Sequence, residues 1–270
     1  MKERTIKEKI ILSGRGIHSG NKAKITLYPK EEGGIIFVKD QEEIPAIFSL
    51  VKSQEREIVL SKNGVSVRGV EHLMSALYAC GVDHVRVEIE GEEIPAFDGS
   101  AYPFISAIEK VGLKELKKEK RKRFINKKIF VENKGSFAFC LPAKKLKVHY
   151  IISYNHPLLF YQEYIFDGKT DFKKNIGRSR TYGFLSWKEE LNKRGFALGA
   201  SEKNTLIYTE SGLLNKPRFK DEAVRHKILD LMGELYLLNP IPIGYYFVFR
   251  GGHLLHFQLL KEIERSKNGL

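Results

Sequence analysis

Two segments of the chain combine apolar residues at helical spacing with a polar stripe on another side. In residues 70–77, and again in residues 224–238, apolar side chains recur with the three-to-four-residue period of a helix. Asp221 precedes the second segment and can cap the start of a helix. The pattern therefore predicts two amphipathic helices, each with one face buried in a core.

The two predicted helices also lead into similar elements. Each continues through a turn into an apolar strand, residues 85–89 after the first helix and residues 245–249 after the second. A histidine comes after a short Val-x start in both, at His72 and at His226. We interpret this as one α–β unit used twice, with a histidine at the same place in each.

Strand-like runs precede the helix in both halves and indicate the fold class. These runs are residues 10–12, 24–28 and 34–38 in the first half and residues 128–132, 136–140 and 147–153 in the second. Shorter helical patterns cover residues 102–110 and 186–194. Strands that precede helices in each half predict an α+β protein of two layered domains packed together. We expect a first domain at residues 1–113, a basic connector at 114–127 and a second domain at 128–270.

The composition is typical of a folded protein without a membrane-spanning segment. The chain has 270 residues, 42% of them hydrophobic, and no apolar run approaches the ~20 residues that span a bilayer. The first residues are charged, unlike those of a signal peptide. Two cysteines, Cys80 and Cys140, lie in apolar contexts, which is typical of core thiols in a reducing compartment. We therefore expect a cytoplasmic protein.

The second predicted helix carries potential metal ligands on adjacent turns. His226, Asp230 and Glu234 stand four residues apart, so they line up along one face. An isolated His-x-x-x-Asp pattern is most often a solvated helix face. If the two units face each other, however, His72, His226 and Asp230 could meet as three protein ligands. A fourth position would then stay open for water, as in catalytic rather than structural zinc sites.

Another candidate group comes after the last predicted strand. Residues 249–253 read Phe-Arg-Gly-Gly-His, and the two glycines let the backbone pass close to a ligand and deliver His253 at the strand edge. Histidine titrates near neutral pH and suits proton donation. Taken alone, the pattern also fits a turn histidine without a function.

Six motifs, in order along nearly the whole chain, make it similar to one family. They are GRGIHSG at 14–20, VEH at 70–72, EIPAFDGS at 93–100, SRTYGF at 179–184, VRHKILD at 224–230 and RGGH at 250–253. The chain resembles the zinc-dependent UDP-3-O-acyl-N-acetylglucosamine deacetylases of lipid A biosynthesis. The resemblance implies two similar β–α–β sandwiches packed together, with the active site between them.

The resemblance also implies a metal and a base. Zinc would be held by His72, His226 and Asp230, and Glu71 would be the general base that acts on water at the metal. These roles suit amide hydrolysis, because zinc lowers the pKa of a bound water to about 7 and so supplies a nucleophile at neutral pH.

The other implied roles concern the substrate. His253 would protonate the departing glucosamine nitrogen, and the Thr181 hydroxyl would stabilise the oxyanion. Lys227 would bind substrate near the reacting group or the diphosphate. Glu234 stands where the family usually has an aspartate that orients the acid histidine. His18, in a glycine-rich turn, is expected near the substrate, whereas the alternative is a merely exposed turn histidine.

An inserted element in the second half has two interpretations. In the family it forms a hydrophobic passage for the acyl chain, and Ala200, where a glycine is usual, would narrow that passage. The alternative is an ordinary surface helix at 186–194 that buries Leu185, Leu191 and Phe196.

The net charge of +13 comes partly from a Lys- and Arg-rich run at 114–123. This run is typical of a solvated connector. A basic surface would also attract the diphosphate of a UDP-sugar, or make transient contact with the anionic inner membrane surface where an acylated substrate partitions. Nucleic-acid binding is the rival explanation, but no recognised nucleic-acid motif accompanies the charge, and we expect no such partner.

We therefore expect a zinc-dependent amidohydrolase that releases acetate from UDP-3-O-(3-hydroxyacyl)-N-acetylglucosamine, the committed step of lipid A biosynthesis. One alternative is a basic polyanion-binding protein that retains the fold without catalysis, which would show salt-sensitive binding and no metal-dependent hydrolysis. The other is a zinc deacetylase of another nucleotide sugar.

Overall fold

The structure is a computed structural model that describes residues 1–53, 56–168 and 170–267. Its strands are β1 (Lys2–Ile6), β2 (Ile10–Arg15), β3 (Lys22–Pro29), β4 (Ile35–Lys39), β5 (Glu42–Pro45), β6 (Val51–Ser53), β7 (Val59–Lys62), β8 (Val65–Arg68), β9 (Val85–Glu90), β10 (Leu113–Glu119), β11 (Ile129–Asn133), β12 (Ser136–Leu141), β13 (Lys147–Ile152), β14 (Gln162–Phe166), β15 (Tyr182–Phe184), β16 (Leu206–Tyr208) and β17 (Tyr245–Phe249). Its α-helices are α1 (Glu71–Cys80), α2 (Tyr102–Val111), α3 (Phe172–Asn175), α4 (Lys188–Lys193), α5 (Glu222–Leu235) and α6 (His253–Lys267).

Two five-stranded sheets share one topology. Their strand orders are β2-β3-β9-β4-β5 and β11-β12-β17-β13-β14. In each, the central strand pairs antiparallel with the second strand of its half and parallel with the third. Helix α1 precedes β9 and helix α5 precedes β17. The repeated α–β unit and the α+β fold class are thus confirmed.

Each half also carries an insertion at the same place, between its fourth strand and its helix. The first insertion forms the three-stranded sheet β6-β7-β8, and the second contains α3, α4 and the parallel pair β15-β16. Residues of both insertions border the site described below.

Helices join the two halves. The helices α1 and α5 pack against each other, α5 and α6 contact the second sheet, and α2 contacts β2 of the first. Buried apolar residues from both halves belong to one continuous cluster, which includes Leu73 and Met74 of α1 and Leu229 and Met232 of α5. Each five-stranded sheet lies within one of the two expected domains, and the division at 113 and 128 stays a prediction.

The first part of the segment that we expected to be a solvated connector is a β-strand instead. Residues 114–119 belong to β10, which pairs antiparallel with β1. Within it Leu116 is buried, and the following Lys120 lies 2.8 Å from Asp83. This pairing depends on backbone hydrogen bonds rather than on an apolar face. The charged residues of β10 therefore lack the alternation of apolar and polar residues that predicts a strand.

Two local expectations, the helix cap at Asp221 and the position of His253 at a strand edge, are wrong. The carboxylate of Asp221 makes no capping bond to α5 and instead accepts a hydrogen bond from Arg225 Nε at 2.6 Å. A charged guanidinium is a stronger donor than a backbone amide, so it outcompetes the cap. His253 does not stand at the strand edge, because the chain leaves β17 through the two glycines and starts α6 at this residue. Among the described residues, no helix has the length and apolar character to cross a membrane.

Candidate active site

Three side chains proposed as metal ligands come together where α1 meets α5. Nε2 of His72 lies 3.5 Å from Oδ1 of Asp230, and Nε2 of His226 lies 3.3 Å from the same oxygen. One ligand atom from each residue lies within 4.8 Å of the other two. Three donors bound to one zinc ion at about 2.0–2.2 Å stand roughly 3–3.5 Å apart, so these spacings fit a shared ion.

An unpaired buried oxygen also fits a metal. Asp230 is 2% exposed, and its Oδ1 has no hydrogen-bond partner within the described part of the chain. The other oxygen, Oδ2, accepts a hydrogen bond from Lys227 Nζ at 2.8 Å. A buried carboxylate oxygen without a donor is costly, and a cation placed among the two imidazoles and this oxygen removes that cost.

Lys227 also helps to keep Asp230 ionised. Burial opposes ionisation of the carboxyl group, but His226 and the Lys227 ammonium hold the pKa of Asp230 well below its usual range. The expected ligand is therefore an anion, which is the form that binds a cation.

The ring of His226 is oriented by the backbone. Its Nδ1 lies 3.1 Å from the carbonyl oxygen of Ser179, and burial lowers the pKa of His226 to about 3. A neutral ring donates to this carbonyl only with its proton on Nδ1. That tautomer leaves the lone pair of Nε2 free for a metal, as ligating histidines require.

A glycine permits the close approach of the two helices. A Cβ atom at Gly233 of α5 would lie 2.1 Å from the carbonyl oxygen of Glu71 and 3.1 Å from the amide nitrogen of Ser75, both in α1. No side chain fits at the first distance. The absence of a side chain at 233 therefore lets α5 bring His226 and Asp230 up to His72.

Glu71 lies beside the ligands as the first residue of α1. Its Oε2 accepts a hydrogen bond from the backbone N–H of Ile58 at 3.1 Å, which ties it to the first insertion. Burial raises the pKa of Glu71 to about 8. A carboxyl group that titrates near neutral pH suits the transfer of a proton.

His253 belongs to a buried hydrogen-bonded chain. Its Nδ1 lies 2.8 Å from Oε1 of Glu234, and Nδ1 of His256 lies 2.9 Å from the same oxygen. The far side of His256, Nε2, lies 2.8 Å from the hydroxyl of Tyr150. Glu234 therefore reaches His253 in spite of its extra methylene, and two histidines hold one of its oxygens.

Sequence reasoning missed His256 and gave it no role. The residue lies three positions after His253, on the same side of α6. Recognition of residues 253–267 as a helix would have placed both histidines together.

Thr181 is positioned by the backbone and by a buried ion pair next to it. Its N–H donates to the carbonyl of Gly99 at 2.8 Å, and its own carbonyl accepts from the N–H of Leu206 at 2.8 Å. The neighbouring Arg180 donates to Glu222 through Nε at 2.8 Å and Nη2 at 3.1 Å. Both partners are nearly inaccessible to solvent, so the backbone at Thr181 is held on both sides.

These groups line one cavity of about 540 Å³. The expected site residues in its wall are His18, Glu71, His72, Thr181, His226, Lys227, Asp230 and His253. Glu234 is not in the wall and lies behind His253. The structure thus brings together residues from both repeated units.

His18 is a partly buried wall residue rather than an exposed turn histidine. Its ring packs edge-on against Phe196 with centroids 5.3 Å apart, and its Nδ1 lies 3.3 Å from the N–H of Ala197. Burial lowers the pKa of His18 to about 4, so the ring is neutral. Its turn is held by Glu93, which accepts hydrogen bonds from the N–H and the hydroxyl of Ser19.

One part of the cavity wall is apolar. Trp187, Leu191 and Phe196 of the second insertion lie in it, together with Ala200. Leu185, which the surface-helix alternative buries, is 44% exposed. The element at 188–193 therefore faces the cavity rather than only covering a core.

Comparison with known proteins gives a consistent result. Residues 3–265 match the family model described as UDP-3-O-acyl N-acetylglycosamine deacetylase. A UDP-3-O-acyl-N-acetylglucosamine deacetylase of Nautilia profundicola is 38% identical over 268 residues, which is 97% of this chain and 92% of the relative. Proteins of the same name from Myxococcus xanthus and Helicobacter hepaticus are 37% and 35% identical over 97% of this chain, covering 86% and 90% of their own lengths.

Proposed function

The chain belongs to the UDP-3-O-acyl N-acetylglycosamine deacetylase family, and we propose that it deacetylates UDP-3-O-(3-hydroxyacyl)-N-acetylglucosamine at a zinc centre of His72, His226 and Asp230. The reaction hydrolyses the N-acetyl group and releases acetate, in the biosynthesis of lipid A. One observation carries the zinc assignment: three ligand atoms within 4.8 Å of one another include a buried carboxylate oxygen for which the described residues provide no hydrogen-bond donor.

The donor set supports zinc over harder cations. Two imidazole nitrogens and one carboxylate oxygen are a typical catalytic zinc set, whereas magnesium and calcium prefer oxygen ligands. When bound, zinc lowers the pKa of water toward 7 and polarises a carbonyl group. The protein's own groups then perform the proton transfers and position the substrate.

Glu71 is the proposed general base. Its carboxylate takes a proton from the attacking water while the oxygen adds to the acetamide carbonyl. The hydrogen bond from Ile58 fixes Oε2 of this carboxylate. Because it precedes His72 directly, the base is held at a fixed distance from the proposed metal site.

Thr181 and Lys227 are the proposed partners of substrate oxygens. The hydroxyl of Thr181 donates to the carbonyl oxygen as negative charge develops on it, and one such donor typically contributes roughly 3 kcal/mol. Lys227 lines the same cavity with its Nζ on Asp230, so its charge acts close to the reacting group.

His253 is the proposed general acid. The glucosamine nitrogen cannot leave as an anion, so Nε2 of His253 gives it a proton as the C–N bond breaks. Glu234 accepts from Nδ1 and thus fixes the ring's orientation. His256 holds Glu234 in turn and is itself bonded to the hydroxyl of Tyr150, which makes these three residues positioning groups.

The apolar wall supports binding of an acyl chain. Trp187, Leu191 and Phe196 offer aromatic and aliphatic surface beside the proposed zinc site, and His18 packs against the last of these. Burial of a hydrocarbon chain along such a wall is favourable in proportion to the area removed from water. We assign His18 to the substrate-binding wall on this ground.

The proposed setting is the cytoplasm, with transient contact at the anionic inner membrane surface. Cys80 and Cys140 are buried free thiols, which supports a reducing compartment. The net charge of +13 favours an anionic membrane surface and an anionic nucleotide substrate alike.

Metal content and turnover of two variants test these assignments. We expect His226→Ala to lose bound zinc and activity together, because a ligand is removed. We expect Glu71→Gln to keep zinc while turnover falls by roughly 10²–10⁴-fold, the usual contribution of a general base. Zinc per chain by atomic emission and acetate release by a coupled assay give the two readings. Parent-level turnover in Glu71→Gln, or full zinc binding in His226→Ala, would contradict the roles.

A further inference from the structure

One face of the second sheet is buried under helices. Helices α5 and α6 contact this sheet, and Ala138, Cys140, Tyr246 and Val248 on that side are fully buried. Side chains alternate along each strand, so the residues between these point to the other side.

The opposite side is aromatic instead of polar. The strand register sets Phe137 opposite Phe249 and Phe139 opposite Phe247. We name the set Phe130, Phe137, Phe139, Tyr245, Phe247 and Phe249 the aromatic face. A solvated side of an antiparallel sheet normally carries polar residues, so this face requires an explanation.

The rings of the aromatic face form one continuous surface. Phe139 stacks on Phe247 with centroids 5.0 Å apart, and Phe137 stacks on Phe247 at 5.8 Å. Phe130 continues the surface to the edge strand, 6.1 Å from Phe137, and is 51% exposed. The rings pack against one another while part of their area stays open to solvent.

The charge around this face is mainly positive. Lys128, Lys134, Lys144 and Lys145 are exposed at the ends of its strands, and Nζ of Lys147 lies 5.4 Å from the ring centre of Tyr245. Exposed acidic residues beside this face are Glu132, Glu163 and, just after β14, Asp167, and Glu163 is engaged by Tyr161 and His149. An anionic partner matches this surface, whereas a second copy of a chain with net charge +13 would add repulsion.

The face also ends at the mouth of the active-site cavity. Lys134 of the β11–β12 turn and Ser136, the first residue of β12, line the cavity, as do Arg250 and Gly251, which come directly after β17. At this same end the β13–β14 turn exposes Phe160, of which 71% is accessible to solvent.

We propose that the aromatic face docks the protein on an anionic lipid bilayer, with the cavity mouth at the membrane surface. Aromatic rings favour the interface between water and acyl chains, and lysines bind anionic headgroups. The aromatic face would make the membrane contact that forms part of the proposed function, and the presentation of an acylated substrate to the cavity rests on that function.

Vesicle sedimentation tests the docking. The probes are vesicles of phosphatidylcholine alone and of phosphatidylcholine with phosphatidylglycerol, at low salt. We expect the parent protein to sediment with the anionic vesicles and not with the neutral ones. The double variant Phe139→Thr/Phe247→Thr should bind at least tenfold more weakly. Ile11→Thr, at a 53% exposed apolar residue of β2 in the other sheet, is the matched control and should bind like the parent.

Several results would overturn the proposal. One is that the parent protein stays in the supernatant with anionic vesicles. Another is that the double variant binds these vesicles as tightly as the parent. A third is that the parent forms a dimer in sedimentation velocity and the double variant does not. The last result would make the face an interface between copies. The double variant should release acetate from a short-acyl, water-soluble substrate at the parent rate. This result would show that the variant is folded. Because vesicle binding needs no turnover, failure of docking and failure of the proposed function are distinguishable.

Discussion

Glu234 illustrates how one atom can serve two histidines. Its Oε1 accepts from Nδ1 of both His253 and His256, and the second histidine is anchored to Tyr150. Burial raises the pKa of Glu234, whereas the hydrogen bond from His253 favours its ionised form. The orientation of the proposed acid therefore rests on a residue outside the cavity wall.

Substitution of His256 should affect turnover rather than substrate binding. Loss of one donor in His256→Leu releases Glu234, and we expect kcat to fall roughly tenfold, the kinetic equivalent of about 1.4 kcal/mol. KM and zinc content should stay at the parent values. His256→Gln, whose amide can donate to Glu234, should recover part of the loss. If the variant keeps the parent kcat and only its melting temperature falls, His256 stabilises the fold and does not position the proposed acid.

The proposed ligands are recognisable in the sequence, but the contacts that bring them together are not. His226 and Asp230 are visible as polar residues on an apolar helix, and His72 is visible through the repeated Val-x-His start. Gly233 and His256 act through contacts with other elements, and local periodicity carries no information about such contacts.

At the scale of elements, the α1–α5 crossing is the feature on which the site depends. Gly233→Ala should separate the helices, because its Cβ would lie 2.1 Å from the carbonyl oxygen of Glu71. We expect a loss of about 1–3 kcal/mol or more in the free energy of unfolding, together with weaker zinc binding. Urea denaturation and zinc titration measure the two effects. Gly212→Ala, where the nearest atom lies at 3.8 Å, is the control and should resemble the parent. Parent stability and zinc affinity in Gly233→Ala would refute the close-approach argument.

The start of α5 depends on the buried pair of Arg180 and Glu222. Glu222 also accepts hydrogen bonds from the N–H groups of Arg180 and Arg218. Burial opposes ionisation, but these donors hold the pKa of Glu222 below its usual value. Its stabilising contribution is therefore present above the unfolded-state pKa of about 4.3 and is lost as pH falls through the lower folded-state pKa.

Glu222→Gln should cost about 3–5 kcal/mol at pH 7, because it leaves a buried guanidinium without its charge partner. The difference from the parent should shrink as the pH is lowered through the folded-state pKa of Glu222. Denaturant titrations at a series of pH values measure this. Glu189→Gln removes an exposed partner of Lys193 and should have no measurable effect. A parent–variant difference that does not depend on pH would contradict the assigned cause.

Not every element could be predicted from the sequence. Eight strands of the two sheets and the helices α1, α2 and α5 follow from apolar periodicity, with bounds close to the expected ones, whereas the edge strands β5 and β14 are not among the predicted strands. β10 is not predicted from the sequence, because its residues are largely charged and its partner β1 is more than a hundred positions away. Long-range backbone pairing leaves little trace in local composition.

At the scale of the whole molecule, duplication explains where the site lies. Two units of identical sheet topology meet through α1 and α5, and each contributes a histidine from the equivalent helix to one cavity. The insertions, which occupy the same position in both units, border that cavity with different residues. Symmetric units thus supply the proposed ligands, while asymmetric insertions supply different parts of the cavity wall.

Acetate release from UDP-3-O-(3-hydroxyacyl)-N-acetylglucosamine is the decisive measurement for metal-dependent deacetylation. The purified protein is assayed as prepared, after treatment with a zinc chelator, and after zinc is restored. We predict that release stops on chelation and returns with zinc. Release that continues after complete zinc removal, or no release from folded, zinc-loaded protein, would contradict the account.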